Sequence, residues 1–292
     1  MPVTSTPAQP ELLLVLHCAE GNVQMLLGVA PEAGKPEPNG RQRASSLQGL
    51  LCAEEWRLPS QSVELLMPLL AAALETVKLA PHNIRRIACV TGPGSFTGIR
   101  LSISTAAGLA RATGATTAAI PFLPLLAENV LQSGLPSLAK ATNLWAITHA
   151  RRDLVHVQGF SITTPTQYLT PLDEVMVLSP VQAASRIAQT GQRSLLFGSG
   201  ATRNRQIFEY ALATAAHCTL LPGIMFDSPH ANTLFAAACR ASFSTGDISP
   251  QYARPCDAEE SLDQIASSLG LNPQTARSVL QSLQADCLPT TP

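Results

Sequence analysis

The sequence predicts an α/β fold built as two similar half-domains, each a mixed sheet flanked by helices. Three observations carry that expectation. Apolar strand candidates come in hairpin pairs, residues 12–16 with 23–30 and residues 143–148 with 154–160. Strand-then-helix alternation follows both pairs, so the pattern occurs in each half of the chain, although no close sequence repeat is visible. Residues 87–90, bounded by Pro81 and Gly92, form a continuous apolar run of the kind that lies buried on both faces of a sheet.

Composition sets the outer limits. With 46% apolar and 13% charged residues among 292, the chain can bury a sizeable core, which excludes wholesale disorder. The 19 basic against 20 acidic side chains give no global pull toward nucleic acid or an anionic membrane. The seven cysteines are scattered and never form a C-x-x-C pair, which predicts a reducing, cytoplasmic setting. The apolar start at residues 12–16 is too short and lacks the basic flank of a signal peptide, and no apolar run approaches the ~20 residues that span a bilayer.

In chain order, residues 1–10 read as a loose tail and residues 11–120 as the first half-domain, with 31–56 an inserted surface loop rich in Pro, Gly and charge at its start. From Ser62 to Leu79, Val63, Leu66, Leu69 or Leu70, Leu74 and Val77 fit one helix face, with Pro68 predicting a kink or a separate first turn. A second helix runs from about Thr97 to Ala112, with Gly114 as its stop. Residues 115–120 form a further strand. Residues 121–258 read as the second half-domain, with a helix at 180–189, a short strand at 195–197 ending in Gly198-Ser199-Gly200, and a helix at 232–241. Residues 259–292 form a helical extension. There, 261–283 reads as two short helices around Gly270-Leu271-Asn272-Pro273, with Arg277 the only basic residue of the second helix, so packing or docking is expected before nucleic-acid reading.

The most informative segment is Thr91-Gly92-Pro93-Gly94-Ser95-Phe96-Thr97-Gly98-Ile99-Arg100, between the buried strand and a helix of small residues. Ser95 or Thr97 can cap that helix, and the free amides at its start suit an anion. A tight turn whose glycines only permit close packing explains the spacing equally well. G-x-G-x-x-x-G is neither a dinucleotide fingerprint nor a P-loop. Arg100, one turn into the helix, opposes the dipole, so a carboxylate partner or a polyanion is expected for it. A buried capping role is expected for Ser95, because no G-x-S-x-G elbow supports a nucleophile. The histidines lack ligand spacing, so no metal site is expected.

The string Gly92-Pro93-Gly94-Ser95-Phe96-Thr97-Gly98-Ile99-Arg100 followed by a small-residue helix resembles the hallmark of the TsaB (YeaZ) family. Ser62-Val63-Glu64-Leu65-Leu66-Met67-Pro68 is similar to that family's His-Ser helix, with Gln61 in place of the histidine. Ala150-Arg151-Arg152 is similar to its Asp-Ala-Arg hairpin, with His149 in place of the aspartate. Pro250-Gln251-Tyr252-Ala253-Arg254-Pro255 and Asp257-Ala258-Glu259 resemble its closing segment. The resemblance spans about residues 11–260.

It implies an actin-like ATPase (ribonuclease H-like) fold and a non-catalytic role in making threonylcarbamoyladenosine (t6A) in tRNA, beside a catalytic TsaD-like transferase and, in the wider complex, a TsaE-like ATPase. Contact with tRNA is then indirect. The catalytic paralogue's H-x-x-x-H metal pair has no counterpart at Pro121-Phe122-Leu123-Pro124-Leu125-Leu126. Where the first hairpin of actin-like ATPases carries an acid, the chain has His17-Cys18-Ala19-Glu20, which implies a degenerate nucleotide pocket and no cofactor of its own. The implied partner surface lies on the two helices, at Leu65, Leu66, Leu69, Leu70, Leu101, Thr105, Ala106 and Leu109, with a homodimer through the same stripe when the partner is absent. The competing readings are an ATPase or phosphotransferase that binds ATP with Gly92 to Gly98, and a nucleic-acid module in the extension.

Overall fold

A computed structural model describes residues 11–29, 49–57, 62–163, 168–253 and 262–286. The expected tail at 1–10 and most of the expected insertion lie outside the described residues, as do residues 254–260 of the closing motif. The strands are β1 (Leu12–His17), β2 (Val23–Val29), β3 (Leu50–Trp56), β4 (Ile84–Gly92), β5 (Thr116–Pro121), β6 (Asn143–Arg151), β7 (Leu154–Thr163), β8 (Tyr168–Pro171), β9 (Met176–Leu178), β10 (Ser194–Phe197) and β11 (Cys218–Leu220). The helices are α1 (Ser62–Thr76), α2 (Phe96–Thr113), α3 (Phe122–Gln132), α4 (Pro180–Gln189), α5 (Ser199–Arg203), α6 (Arg205–Ala211), α7 (Ala231–Arg240), α8 (Leu262–Ser268) and α9 (Pro273–Asp286).

The two halves share one topology. The first sheet has the order β3-β2-β1-β4-β5, an antiparallel meander continued by two parallel strands. The second runs β8-β7-β6-β10-β11 with the same senses, and β9 adds to β7. The doubling expected from pattern alone is therefore a doubling of strand order.

Alternation along β1 shows how the layers stack. Leu12, Leu14 and Leu16 enter a core with Leu66, Leu70, Ala73 and Leu74 of α1 and Ala106 of α2. Leu13 and Val15 point the other way, into a core with Phe122, Leu123 and Leu126 of α3, Leu234 and Phe235 of α7, and Leu144, Phe160 and Leu195 of the second sheet. The far face of that second sheet puts Trp145, Ile147 and Val157 against Ala183, Ala184 and Ile187 of α4 and Phe208 of α6. The order is thus α1/α2, sheet, α3/α7, sheet, α4/α6. A middle layer shared by both sheets makes residues 1–253 one compact unit, and residues 254–292 form a second.

Several expectations need correction. Residues 50–56, assigned to the inserted loop, form β3 paired antiparallel with β2; consecutive Glu54 and Glu55 hid an edge strand that needs only one apolar face. Pro68 lies inside α1, which continues through it as one helix and ends at Thr76. Helix α3 was not anticipated as a helix, and Phe122, Leu123, Leu125, Leu126, Ala127 and Val130 are all buried, so its apolar residues show no single stripe. In the second unit, α8 and α9 fall at the expected places. Asn272 Oδ1 accepts from the Gln274 amide at 2.8 Å, and Arg277, the one basic residue of α9, donates from Nε to Asp263 at 2.7 Å.

Candidate functional site

The glycine-rich turn packs backbone to backbone against the turn after β1. A Cβ on Gly94 would lie 2.0 Å from the Ala19 carbonyl oxygen, and one on Gly98 would lie 1.8 Å from that of Cys18. Both glycines are therefore required by close approach. The Ser95 amide donates to Ala19 O at 2.6 Å, and the Gly98 amide donates to the Ser95 side chain at 3.2 Å. Ser95 is thus the N-cap of α2, as expected, but it is exposed where a buried cap was expected. Gly92, at φ +113°, is held against Gln251, whose amide donates to Thr91 O at 2.8 Å. Pro93 is buried in this turn after a cis peptide bond, while Thr97 is exposed and takes no part in capping.

Arg100 differs from expectation. Its Nε donates to the Tyr252 hydroxyl at 3.0 Å and its guanidinium lies 3.7 Å from the Phe96 ring centre. Phe96 and Tyr252 stack at 5.1 Å. Among the described residues its partners are a hydroxyl and a π-face rather than the expected carboxylate. The contact joins the two motif segments, 92–100 and 250–253, which are remote in sequence.

On the surface of α1 and α2, the expected partner residues divide. Leu66, Leu70 and Ala106 are buried in the chain's own core and so are not available to a partner. Leu65, Leu69, Leu101, Thr105 and Leu109 are half-buried. The outward faces carry Met67, 50% exposed, with Pro68, Ala71 and Ala72 on α1, and Ser104 and Gly108 on α2. A Cβ on Gly108 would meet nothing within 4 Å. Met67, Ala71, Ala72 and Gly108 were missed. With 66, 70, 73 and 74 inward, helical phase turns Pro68, Ala71 and Ala72 outward, whereas Met67 shares its phase with Leu74 and its exposure is not encoded by the period.

A third group lies where the C-terminal ends of β1 and β10 meet. Ser199 Oγ donates to Glu20 Oε1 at 2.8 Å and accepts from the His149 amide at 3.0 Å, and Thr202 Oγ1 donates to Asp227 at 2.7 Å. Burial pushes Glu20 up to about 7, against the lowering effect of its Ser199 bond. Burial also raises Asp227 and lowers His149. His17 is held neutral by burial, down to about 3, and its ring lies 4.8 Å from that of Phe122. Among the described residues no three His, Cys, Asp or Glu side chains are grouped as a bound metal needs. No helix among them is long and apolar enough to cross a membrane.

The duplicated sheet topology and the sealed glycine turn define an α/β protein of the actin-like class. Two solved structures share the fold: an uncharacterized protein with similarity to peptidase YeaZ from Pseudomonas aeruginosa (TM-score 0.58, 20% identity, covering 84% of this chain and 100% of that one) and YeaZ from Pseudomonas aeruginosa (0.58, 19%, 83% and 99%). No curated protein sequence matches. Residues 59–215 match the family described as TsaD, tRNA N6-adenosine threonylcarbamoyltransferase, and the chain belongs to that family. Its YeaZ-like fold agrees with the TsaB resemblance of the glycine-rich motif.

Proposed function

We propose that the chain is a non-catalytic, TsaB-like subunit of the cytoplasmic t6A machinery, docking a TsaD-like transferase through the outward faces of α1 and α2. The observation that carries this reading is the exposed apolar strip Met67, Pro68, Ala71 and Ala72 beside a small-residue face at Ser104 and Gly108, where a partner helix can approach the axis closely. A TsaE-like ATPase belongs to the wider complex and tRNA is met through the transferase. Without the partner, the same strip supports a homodimer.

The glycine turn speaks for packing over phosphate binding. Two of its amides are already engaged, and the carbonyl oxygens of Cys18 and Ala19 lie against the positions an anion would approach. Calorimetry with ATP and magnesium is expected to show no heat of binding.

The test is light scattering after size exclusion of the full chain mixed with the TsaD-like paralogue of the same genome, followed by a tRNA-modification assay. Complex formation and partner-dependent modification are expected. Ala71→Arg and Gly108→Arg, both outward, should leave the far-UV spectrum unchanged and weaken association at least tenfold. Association unchanged by both substitutions overturns the surface; no complex with the unaltered chain overturns the role.

A further inference from the structure

We propose that a second copy of this chain docks with α1 of each copy lying over α2 of the other, an orientation selected by Glu64 and Glu75 of α1 against Arg100 and Arg111 of α2. This deepens the homodimer named above: it rests on the same surface, but not on the transferase.

Charge is segregated by helix. Within Ser62–Thr76 the only charged residues are Glu64 and Glu75, and within Phe96–Thr113 they are Arg100 and Arg111. All four are exposed. Each like-charged pair is eleven residues apart, about 16 Å along a helix. Helical phase puts 64, 68, 71 and 75 on one line of α1, turned away from buried Leu66 and Leu70, and puts 100, 104, 108 and 111 on one line of α2, turned away from buried Ile99 and Ala106. The residues between the charges are Pro68 and Ala71 on one line and Ser104 and Gly108 on the other, small enough for two helix axes to approach closely.

Equal spacing lets both glutamates of one copy meet both arginines of the other in a single register. A two-fold axis repeats that contact, so the pairs form on both sides of the dimer at once. Setting α1 over α1 opposes glutamates to glutamates, and α2 over α2 opposes arginines to arginines. Exposed ion pairs contribute little each, but like-charge repulsion discriminates between arrangements, and it selects the crossed one. The four groups are open to such a partner. No hydrogen bond or ion pair to another described residue engages either glutamate side chain. Arg100 uses only Nε on the Tyr252 hydroxyl, which leaves its other N–H groups to donate. Arg111 lies 3.4 Å from Asp247 with the two side chains 70% and 81% exposed, a loose pair that an incoming carboxylate can join.

Sedimentation equilibrium of the full chain alone tests this. The unaltered chain should dimerise, about tenfold less tightly at high than at low salt. Glu64→Arg with Glu75→Arg should weaken the dimer at least tenfold, and so should Arg100→Glu with Arg111→Glu, each with an unchanged far-UV spectrum. Mixing the two variants sets arginine over glutamate on both sides again and should restore a dimer of unlike copies. If Arg100→Glu unfolds the chain by losing Tyr252, Arg111→Glu alone replaces it in the mixture. A Glu64→Arg, Glu75→Arg chain that dimerises as tightly as the unaltered one overturns the crossed arrangement, as does failure of the folded variants to pair. An unaltered chain that stays monomeric at low salt overturns the dimer itself. Because no transferase is present in these measurements, failure of the chain to bind the transferase overturns the subunit role and leaves this result standing.

Discussion

Gly98 sits where one methyl group decides whether two segments of backbone can touch. With 1.8 Å between a Cβ at this position and the Cys18 carbonyl oxygen, Gly98→Ala must displace the hairpin turn, the helix start, or both. A forced shift of this kind costs about 1–3 kcal/mol. Thermal unfolding should fall by about 5 °C, and Gly94→Ala should act similarly because it meets the same turn. Gly108→Ala is the control, since its Cβ meets nothing within 4 Å, and helix propensity makes that change stabilising by up to ~1 kcal/mol. Ser95→Ala removes the cap of α2 and should cost about 1 kcal/mol by denaturant titration. Spacing in the sequence located these glycines but left phosphate binding and close packing equally open. The close approach depends on Cys18 and Ala19, some 75 residues earlier in the chain, and no local pattern encodes that.

Helices with one wet face were legible, and elements without one were not. α2, α4 and α7 lie where the apolar period placed them, and for α2 the residues read as caps hold as well, with Ser95 at its start and Gly114 closing it at φ +72°. α3 has too little solvent-facing surface to leave a stripe, and β3 is an edge strand whose acidic pair mimics a loop. The proposed partner face was only half legible for the same reason: α1 carries apolar residues on both sides, so its leucines could not be divided into core and surface without the sheet beneath them. Leu66→Glu and Ala71→Glu separate the two. The first places a charge in the core and should unfold the chain or cost about 3 kcal/mol or more, while the second should change stability by less than ~0.5 kcal/mol and act on association alone.

At the scale of the molecule, the shared α3/α7 layer makes both sheets depend on the same side chains. Phe122, Leu126 and Phe235 are fully buried beside residues of the two sheets at once. Phe122→Ala should therefore cost about 3–5 kcal/mol and lower one calorimetric transition for the first unit, rather than splitting it into two. Among the described residues the doubled strand order also gives the unit four outer sheet edges, one of them shared by β8 and β9, each an invitation to intermolecular pairing. The β5 edge is closed by Ser244, which exchanges backbone bonds with Thr117 at 2.8 and 2.9 Å. β11 is only three residues long, and β8 ends in Pro171, which has no amide proton to offer. β3 is the longest of the four and carries Glu54 and Glu55, two like charges that a second copy would have to set beside its own. The acidic pair that disguised this strand as a loop is thus a guard against fibre-like stacking. Glu54→Val with Glu55→Val should turn a stable solution of the protein into one that aggregates at concentrations where the unaltered chain stays clear.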